Sequence, residues 1–582
     1  MLSTFKLIRR ISVYMKKYRF KLLISFLFTI AGSVMNVAFP EIVRRIADTF
    51  AAGINASIDT SALLRYSLIA LILIMGGFVF IFLQNILLPL ISQLMSRDIR
   101  EDMNKKIDRI PLSYFDARQN GDTLSRVTTD VDTFANAVTN NMSGIISAVV
   151  AIIGALAMML FINVILTLIV SALSIAFFMF NTFLMKKSQP YFYSQQNLLG
   201  TVNAKAEEAI SGHLVIKSFG GEQHTKQDFS ESNDKLAKDS WLSQFISGMM
   251  LPVMNVGGQF CNVAVVFAGV FLMLRGISGV TIGMIIAFVS YSQIFSMMLS
   301  NISQFIASLQ PALAATSRII ELMDAEEITE CEAPKVPDEV KGDITFRDVK
   351  FGYVSDKIII NDFSADVKAG SKIAIVGPTG AGKSTIMNLL MRFYELNGGK
   401  ILIDGVSISE LTRSRLHEFI GLVPQEIWTF EGSIRDNIVY STEGVSEDRL
   451  NDILEASGLI YFIRAMPEGV DTVINEQSNL STGQRQLITI ARAMTKDSPV
   501  LILDEATSSV DTRTEKLIQS ALDKLMAGRT SFIIAHRLST IQNADMILVL
   551  KDGDIAETGR HDELLAMNGV YADLYRSQFD TK

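Results

Sequence analysis

The chain has 582 residues, 49% apolar and only 19% charged, with 35 Phe, 26 Met and a net charge of −7. The acidic balance excludes a basic nucleic-acid binder, and the apolar content excludes both a disordered chain and an ordinary soluble protein of this size. Two cysteines, Cys261 and Cys331, are too few for a disulfide framework and are read as small apolar residues.

The first 21 residues carry seven Lys/Arg (Lys6, Arg9, Arg10, Lys16, Lys17, Arg19, Lys21) and no Asp or Glu. An apolar run from Leu22 to Val43 follows. The pair resembles a signal peptide, but the run is long enough to span a bilayer, and five more runs follow it at 64–91, 142–162, 164–185, 245–274 and 280–308. Six spans are therefore predicted, all helical, because a backbone in hydrocarbon must satisfy itself. Asn163 allows only a very short turn between the third and fourth. The connectors 92–141 and 186–244 are charged and helix-prone. The positive-inside rule places the N-terminal cluster and the first connector, with Arg97, Arg100, Lys105, Lys106, Arg109, Arg118 and Arg126, in the cytoplasm. Arg44, Arg45 and Arg65 are assigned to the first external loop and Arg275 to the third. An even span count brings both termini and everything after 310 to the cytoplasmic side. The stretch 311–342 is read as a linker, helical at first and then acidic, with Pro334 and Pro337 before Gly342.

From 343 onward the composition is that of a soluble α/β domain. IAIVGPTGAGKST (373–385) is a β-branched strand, a Gly-rich loop and a helix start, and fits G-x4-G-K-[ST] through Gly377, Gly382, Lys383 and Ser384. Such a loop aims backbone N–H groups at phosphates, Lys383 reaches the β- and γ-phosphates, and Ser384 offers a hydroxyl to Mg²⁺. VLILDEATSSVD (500–511) is a buried-strand run ending in Asp504, suited to Mg²⁺, and Glu505, suited to be the general base for a water. The alternative is that this acid simply begins a helix.

NLSTGQRQL (479–487) precedes that strand. The order P-loop, Gln425, LSTGQ, Asp504-Glu505, Asp511, His536 resembles the nucleotide-binding domain of ATP-binding cassette (ABC) transporters, and the six-span half is similar to their exporter-type membrane domain. The implied architecture is an all-α six-helix transmembrane domain (1–310), the linker, and an α/β P-loop nucleotide-binding domain (343–582). The resemblance implies ATP and Mg²⁺ as ligands. By the same resemblance, Tyr353 would be the adenine-stacking aromatic, or else a core tyrosine. Thr379, Gly380 and Thr385 would join Gly377, Gly382, Lys383 and Ser384 at the phosphates. Gln425 matches the residue that senses γ-phosphate and, with Ser384 and Asp504, Mg²⁺. His536 matches the histidine that contacts γ-phosphate beside Glu505, whereas His213, His224, His417 and His561 are read as structural. Ser481, Thr482, Gly483 and Gln484 match the signature that closes on ATP held by the opposite subunit, and Asp511 matches the loop that communicates across the dimer. SYFDARQNGDTLSRVTTDVD (113–132) and EEAISGHLVIKSFGGE (207–222) resemble the two intracellular loops with short coupling helices, bounded at Gly121-Asp122 and Ser211-Gly212. In the family the second reaches the partner's domain.

The expected function is ATP-driven export of amphipathic small molecules (drugs, lipids or peptides) across a bacterial plasma membrane by alternating access. The spans are nearly free of ionisable residues, and Phe and Met side chains such as Phe177, Phe288, Met249 and Met298 could line a lipid-like cavity or simply face lipid and neighbouring helices. An importer of a metal–chelator complex on the same fold, and a non-transporting ATPase or channel, remain alternatives, separated by the direction of flux. One nucleotide-binding domain cannot complete its own site, so a second half-transporter is required. Family signatures read LSGGQ, whereas Thr482 stands at the third position here and is expected to restrict the backbone. With an intact catalytic half, this resembles one subunit of the heterodimeric multidrug exporters of Gram-positive bacteria, and a heterodimer is favoured over a homodimer.

Overall fold

A computed structural model describes residues 10, 13–53, 58–118, 120–277, 279–331, 340–354, 357–440, 442, 444–475, 480–504, 511–535 and 538–579. The chain forms two compact units, Met1–Asp108 with Asn120–Ala325, and Arg109–Gln119 with Glu326–Lys582.

In the first unit, six helices among the described residues are long and apolar enough to cross a membrane: Arg19–Gly53, Thr60–Ile107, Gly121–Ile162, Val164–Ser211, Glu222–Leu274 and Ile282–Ile302. The second and fourth have 48 residues each. At 1.5 Å per residue that is about 72 Å, more than twice a hydrocarbon core of about 30 Å, so much of each lies in water. The helix-prone connectors are therefore continuations of the spans. The turn at Asn163 is as short as expected. Its backbone is extended (φ −160°, ψ 116°), and its side chain accepts from Leu166 N at 3.1 Å, capping the fourth helix. The core gathers Met159, Leu166, Val265, Phe288 and Tyr291, all fully buried.

Several expectations need correction. Arg65 lies on the second helix, Thr60–Ile107, and Arg44 and Arg45 do not lie in a loop either. They sit on the first helix, where Arg44 forks onto Glu41 (2.7 Å twice) and reaches Asp48 (3.3 Å). Asp48 in turn accepts from Gly283 N at 3.0 Å, in the first turn of the last helix. The first helix thus carries an ion cluster whose acids and bases satisfy one another, the form in which charge is tolerated there. Gly121 likewise bounds no short helix: it lies inside Asn120–Ser125, which continues through a π-helical turn, Arg126–Asp130. Arg126 is buried there between Asp122 (2.9 Å) and Glu321 (3.2 Å). The second loop does fold as read from sequence. His213–Phe219 starts after Gly212 and stops at Gly220, whose φ of 65° favours glycine. Its Leu214, Val215 and Phe219 are exposed.

Among the described residues the second unit has twelve strands: β1 (Ile344–Phe351), β2 (Ile360–Val367), β3 (Lys372–Val376), β4 (Gly398–Ile403), β5 (Val406–Ser407), β6 (Ile420–Val423), β7 (Gly432–Ser433), β8 (Val473–Ile474), β9 (Val500–Asp504), β10 (Thr530–Ile534), β11 (Met546–Lys551) and β12 (Asp554–Gly559). The order β12-β11-β3-β10-β9-β6 makes the central sheet, parallel except for β12, and β2-β1-β4-β5 makes an antiparallel one. Side chains alternate across the central sheet. Ala374, Leu501, Leu503 and Ile533 join one core, and Ile373, Ile375, Ile502 and Phe532 the other.

The segment 109–119, read from sequence as part of the membrane domain, belongs to this second unit. Ile328 N donates to Arg109 O at 2.8 Å, and Tyr394 donates its hydroxyl to Asp116 at the end of the short helix Leu112–Asp116.

Candidate active site

Parallel strands point their C-terminal ends to one edge, where the segments read as nucleotide-binding emerge side by side. β3 leads into the Gly-rich loop. Next to it β10 ends at Ile534, then β9 at Asp504, then β6 at Val423, two residues before Gln425. Ile375, Ile534 and Asp504 align across the three inner strands. Glu505 and His536 follow β9 and β10 in sequence and lie outside the described residues.

The loop is built to exclude side chains. A Cβ on Gly377 would stand 2.3 Å from the Leu550 carbonyl oxygen, and one on Gly382 2.6 Å from Ile360 Cδ1. Gly382 is also left-handed (φ 96°) and N-caps the helix Lys383–Leu390. Thr379 and Gly380 are exposed at the loop tip, and Ser384 is exposed in the first helical turn. Lys383 curls back so that Nζ donates to Gly377 O (2.8 Å) and Pro378 O (2.9 Å). Burial lowers its pKa, opposed by the charge of half-buried Asp504. Thr385 is buried, and its hydroxyl lies 3.3 Å from that of Tyr353. Tyr353 is 44% exposed, which removes the core-tyrosine alternative. Its ring stands edge-on to Phe351 and to Tyr394, each at 5.0 Å.

This geometry fits a nucleotide triphosphate with its divalent cation. Among the described residues no group of three or more His, Cys, Asp or Glu could hold a metal alone. Asp504 and Ser384 offer only an incomplete oxygen set, as a Mg²⁺ shared with phosphates and water requires.

The signature lies elsewhere. Ser481 N-caps the helix Thr482–Thr495 in a capping box: it accepts from Gln484 N (3.2 Å) while Gln484 accepts from Ser481 N (3.0 Å). Thr482 occupies the first helical position with its side chain exposed, and Gly483 is buried. The expected backbone restriction is therefore not expressed, since a β-branched residue adopts helical φ and ψ at small cost. Leu487, Ile488 and Ile490 of this helix pack into one core, and Ile386, Leu389 and Leu390 of the P-loop helix into the other. Signature and P-loop thus stand on opposite faces of the central sheet. Asp511 N-caps Thr512–Met526, accepting from Arg513 N and Thr514 N at 3.0 Å each, and these bonds, that from Thr514 foremost, lower its pKa. The alternative weighed for the acid at 504–505, that it begins a helix, falls on residues 505–510 and lies outside the described residues.

A P-loop ATPase domain joined to a six-helix membrane domain defines the class. Residues 22–299 match the family model for the ABC transporter transmembrane region and 360–508 the model described as ABC transporter. The chain is 40% identical over 521 residues to a fatty acid ABC transporter ATP-binding/permease protein of Mycobacterium bovis (89% of this chain, 82% of that one). It is 33% identical over 587 residues to an ATP-dependent lipid A-core flippase of Photobacterium profundum (99% and 98%). A bacterial Atm1-family ABC exporter with ATP bound superposes with a TM-score of 0.75 at 27% identity, covering 96% of this chain and 98% of that one. The chain belongs to the ABC transporter family, as an exporter-type half-transporter that binds ATP and couples its hydrolysis to transport.

Sequence reasoning missed Tyr394, Asp116 and Arg492. Arg492 had one readable signal, an arginine in the otherwise apolar and small run LITIARAM (487–494).

Proposed function

We propose that this chain is one half of a dimer that exports an amphipathic, lipid-like molecule by alternating access, with ATP bound between two nucleotide-binding domains. The carrying observation is the placement of signature and P-loop on opposite faces of one sheet, so that a second subunit must supply the missing half of each site. The exposed apolar residues of His213–Phe219 add support, since an unpartnered apolar helix suits docking on a partner. In this reading Tyr353 stacks on adenine, and Gly377, Thr379, Gly380, Gly382, Lys383, Ser384 and Thr385 hold the phosphates. Ser384, Gln425 and Asp504 would hold Mg²⁺, which neutralises phosphate charge. Glu505 removes the water's proton, His536 contacts γ-phosphate, and Ser481, Thr482, Gly483 and Gln484 act on the partner's ATP near Asp511.

The substrate class rests on the apolar spans and on relatives named for fatty acid and lipid A-core. The heterodimer rests on Thr482, now for the bulk it adds beside a partner's γ-phosphate and not for backbone strain. Reconstituted with a second half-transporter from the same cell, the chain is expected to show ATPase stimulated by fatty acids or phospholipids and outward flux of a labelled one, with little of either when it is purified alone. Full activity of the chain alone would make it a homodimer, and stimulation without flux would remove the export reading.

We further place the nucleotide-binding unit in the cytoplasm. In intact cells, an impermeant thiol reagent is expected to label Ile58→Cys and to leave Arg118→Cys unlabelled. The reverse pattern would invert the topology.

A further inference from the structure

Gln425 opens a stretch that returns to the signature helix through one side chain. Arg492 lies eleven residues beyond Ser481, about 16 Å along that helix. Its Nε donates to Asn437 O at 2.8 Å, one terminal nitrogen to Trp428 O at 3.3 Å, and the other to Asn437 Oδ1 at 3.4 Å. The guanidinium also stands 5.7 Å from the Trp428 ring centre and 5.0 Å from that of Tyr440. Asn437, fully buried, extends the hold. Its amide donates to Phe430 O (3.0 Å) and Ser433 O (3.1 Å), and its Oδ1 accepts from Phe430 N (3.1 Å). Three acceptor atoms on two residues facing one planar fork make a rigid connection, which a lysine cannot reproduce.

We propose that Arg492 is a positioning residue that ties the signature helix to the Gln425 loop, so that closure of the signature on the partner's ATP is felt at the phosphates bound by this chain. The connection runs from Ser481 down the helix to Arg492, across to the Trp428 carbonyl, and three residues back to Gln425. It links the two composite ATP sites within a single subunit. Arg492 is not a catalytic residue, because it acts only through the backbone that it holds. The inference rests on the reading of Gln425 given above.

Trp428 is one of only two tryptophans, the other being Trp241. In a Trp241→Phe background it becomes the sole tryptophan and reports on this contact. In the reconstituted transporter, Arg492→Lys is expected to bind ATP within about twofold of its parent while kcat falls about tenfold, the scale of one lost charge-assisted hydrogen bond. The change in Trp428 emission when ATP and Mg²⁺ are added is expected to disappear. A purely structural role would move neither that response nor kcat at unchanged affinity. Hydrogen exchange on the unmutated protein covers the case in which the variant fails to fold. Amides at 428–437 are expected to gain protection together with those at 482–495 on ATP binding, and protection of 482–495 alone would overturn the proposal. Retained kcat and emission response in Arg492→Lys would overturn it as well. Gln425→Ala separates the two readings: if it hydrolyses ATP normally, the role of Gln425 fails. If it is impaired while Arg492→Lys is not, the tie through Arg492 fails and Gln425 stands.

Discussion

Glu505→Gln is expected to reduce steady-state ATP hydrolysis by about 10²–10⁴-fold, the range for losing a general base, while ATP remains bound. Gln keeps the size and one carbonyl oxygen of Glu but cannot accept the proton of an attacking water. The expectation is anchored by the residue before it. Asp504 ends β9 in register with Ile534 on β10, one strand from the P-loop strand, so the chain leaving β9 does so at the phosphate edge. Asp504 is also close enough to Lys383 to oppose the effect of burial on that lysine. The measurements are phosphate release and retention of labelled nucleotide after gel filtration. Hydrolysis above about a tenth of the parent's rate would exclude Glu505 as the base. Rapid loss of nucleotide together with low hydrolysis would point to damaged binding instead.

The membrane half was legible because its signals are long. Six apolar runs, a basic N-terminus and a single capping Asn163 suffice to place six helices, and bilayer thickness fixes their minimum length. The site was legible through motifs that are local in sequence. Strand, glycine turn and helix start are contiguous from Ile373 to Thr385, and β6, β9 and β10 each carry their residues just past a buried strand end. What stayed hidden is which side chains pair. Nothing near Arg44 reveals that Glu41 and Asp48 neutralise it on the same helix face, because the spacing of three and four residues acquires meaning only once the helix is known to continue past the apolar run. Asp116 and Tyr394 are separated by 278 positions, and Arg492 and Trp428 by 64. At Thr482 the departure from the family pattern carries no backbone meaning, because the residue occupies a first helical position where Gly and Thr share the same conformation. What the substitution changes is the surface that the helix end presents.

Lys383→Ala is expected to weaken ATP binding by about 10- to 100-fold, the loss of one or two charge-assisted hydrogen bonds to phosphate. The lysine is already partly desolvated: burial lowers its pKa, and its ammonium is held by the carbonyls of Gly377 and Pro378 at 2.8 and 2.9 Å. Those carbonyls are uncharged, so exchanging them for phosphate oxygens brings a full charge–charge attraction at little further desolvation cost. The substitution leaves Gly377 and Gly382 to shape the loop, and alanine suits the first helical position, so the fold is expected to survive. Thermal unfolding separates lost binding from lost folding. At ATP one hundred times the parent's Kd, ligand linkage adds about 2.7 kcal/mol to the parent, and with affinity one hundredfold weaker it adds only about 0.4 kcal/mol. The variant should therefore melt near the parent without nucleotide and well below it with ATP present. An ATP-induced rise in Tm equal to the parent's, together with unchanged affinity in direct titration, would overturn the assignment of this loop to phosphate.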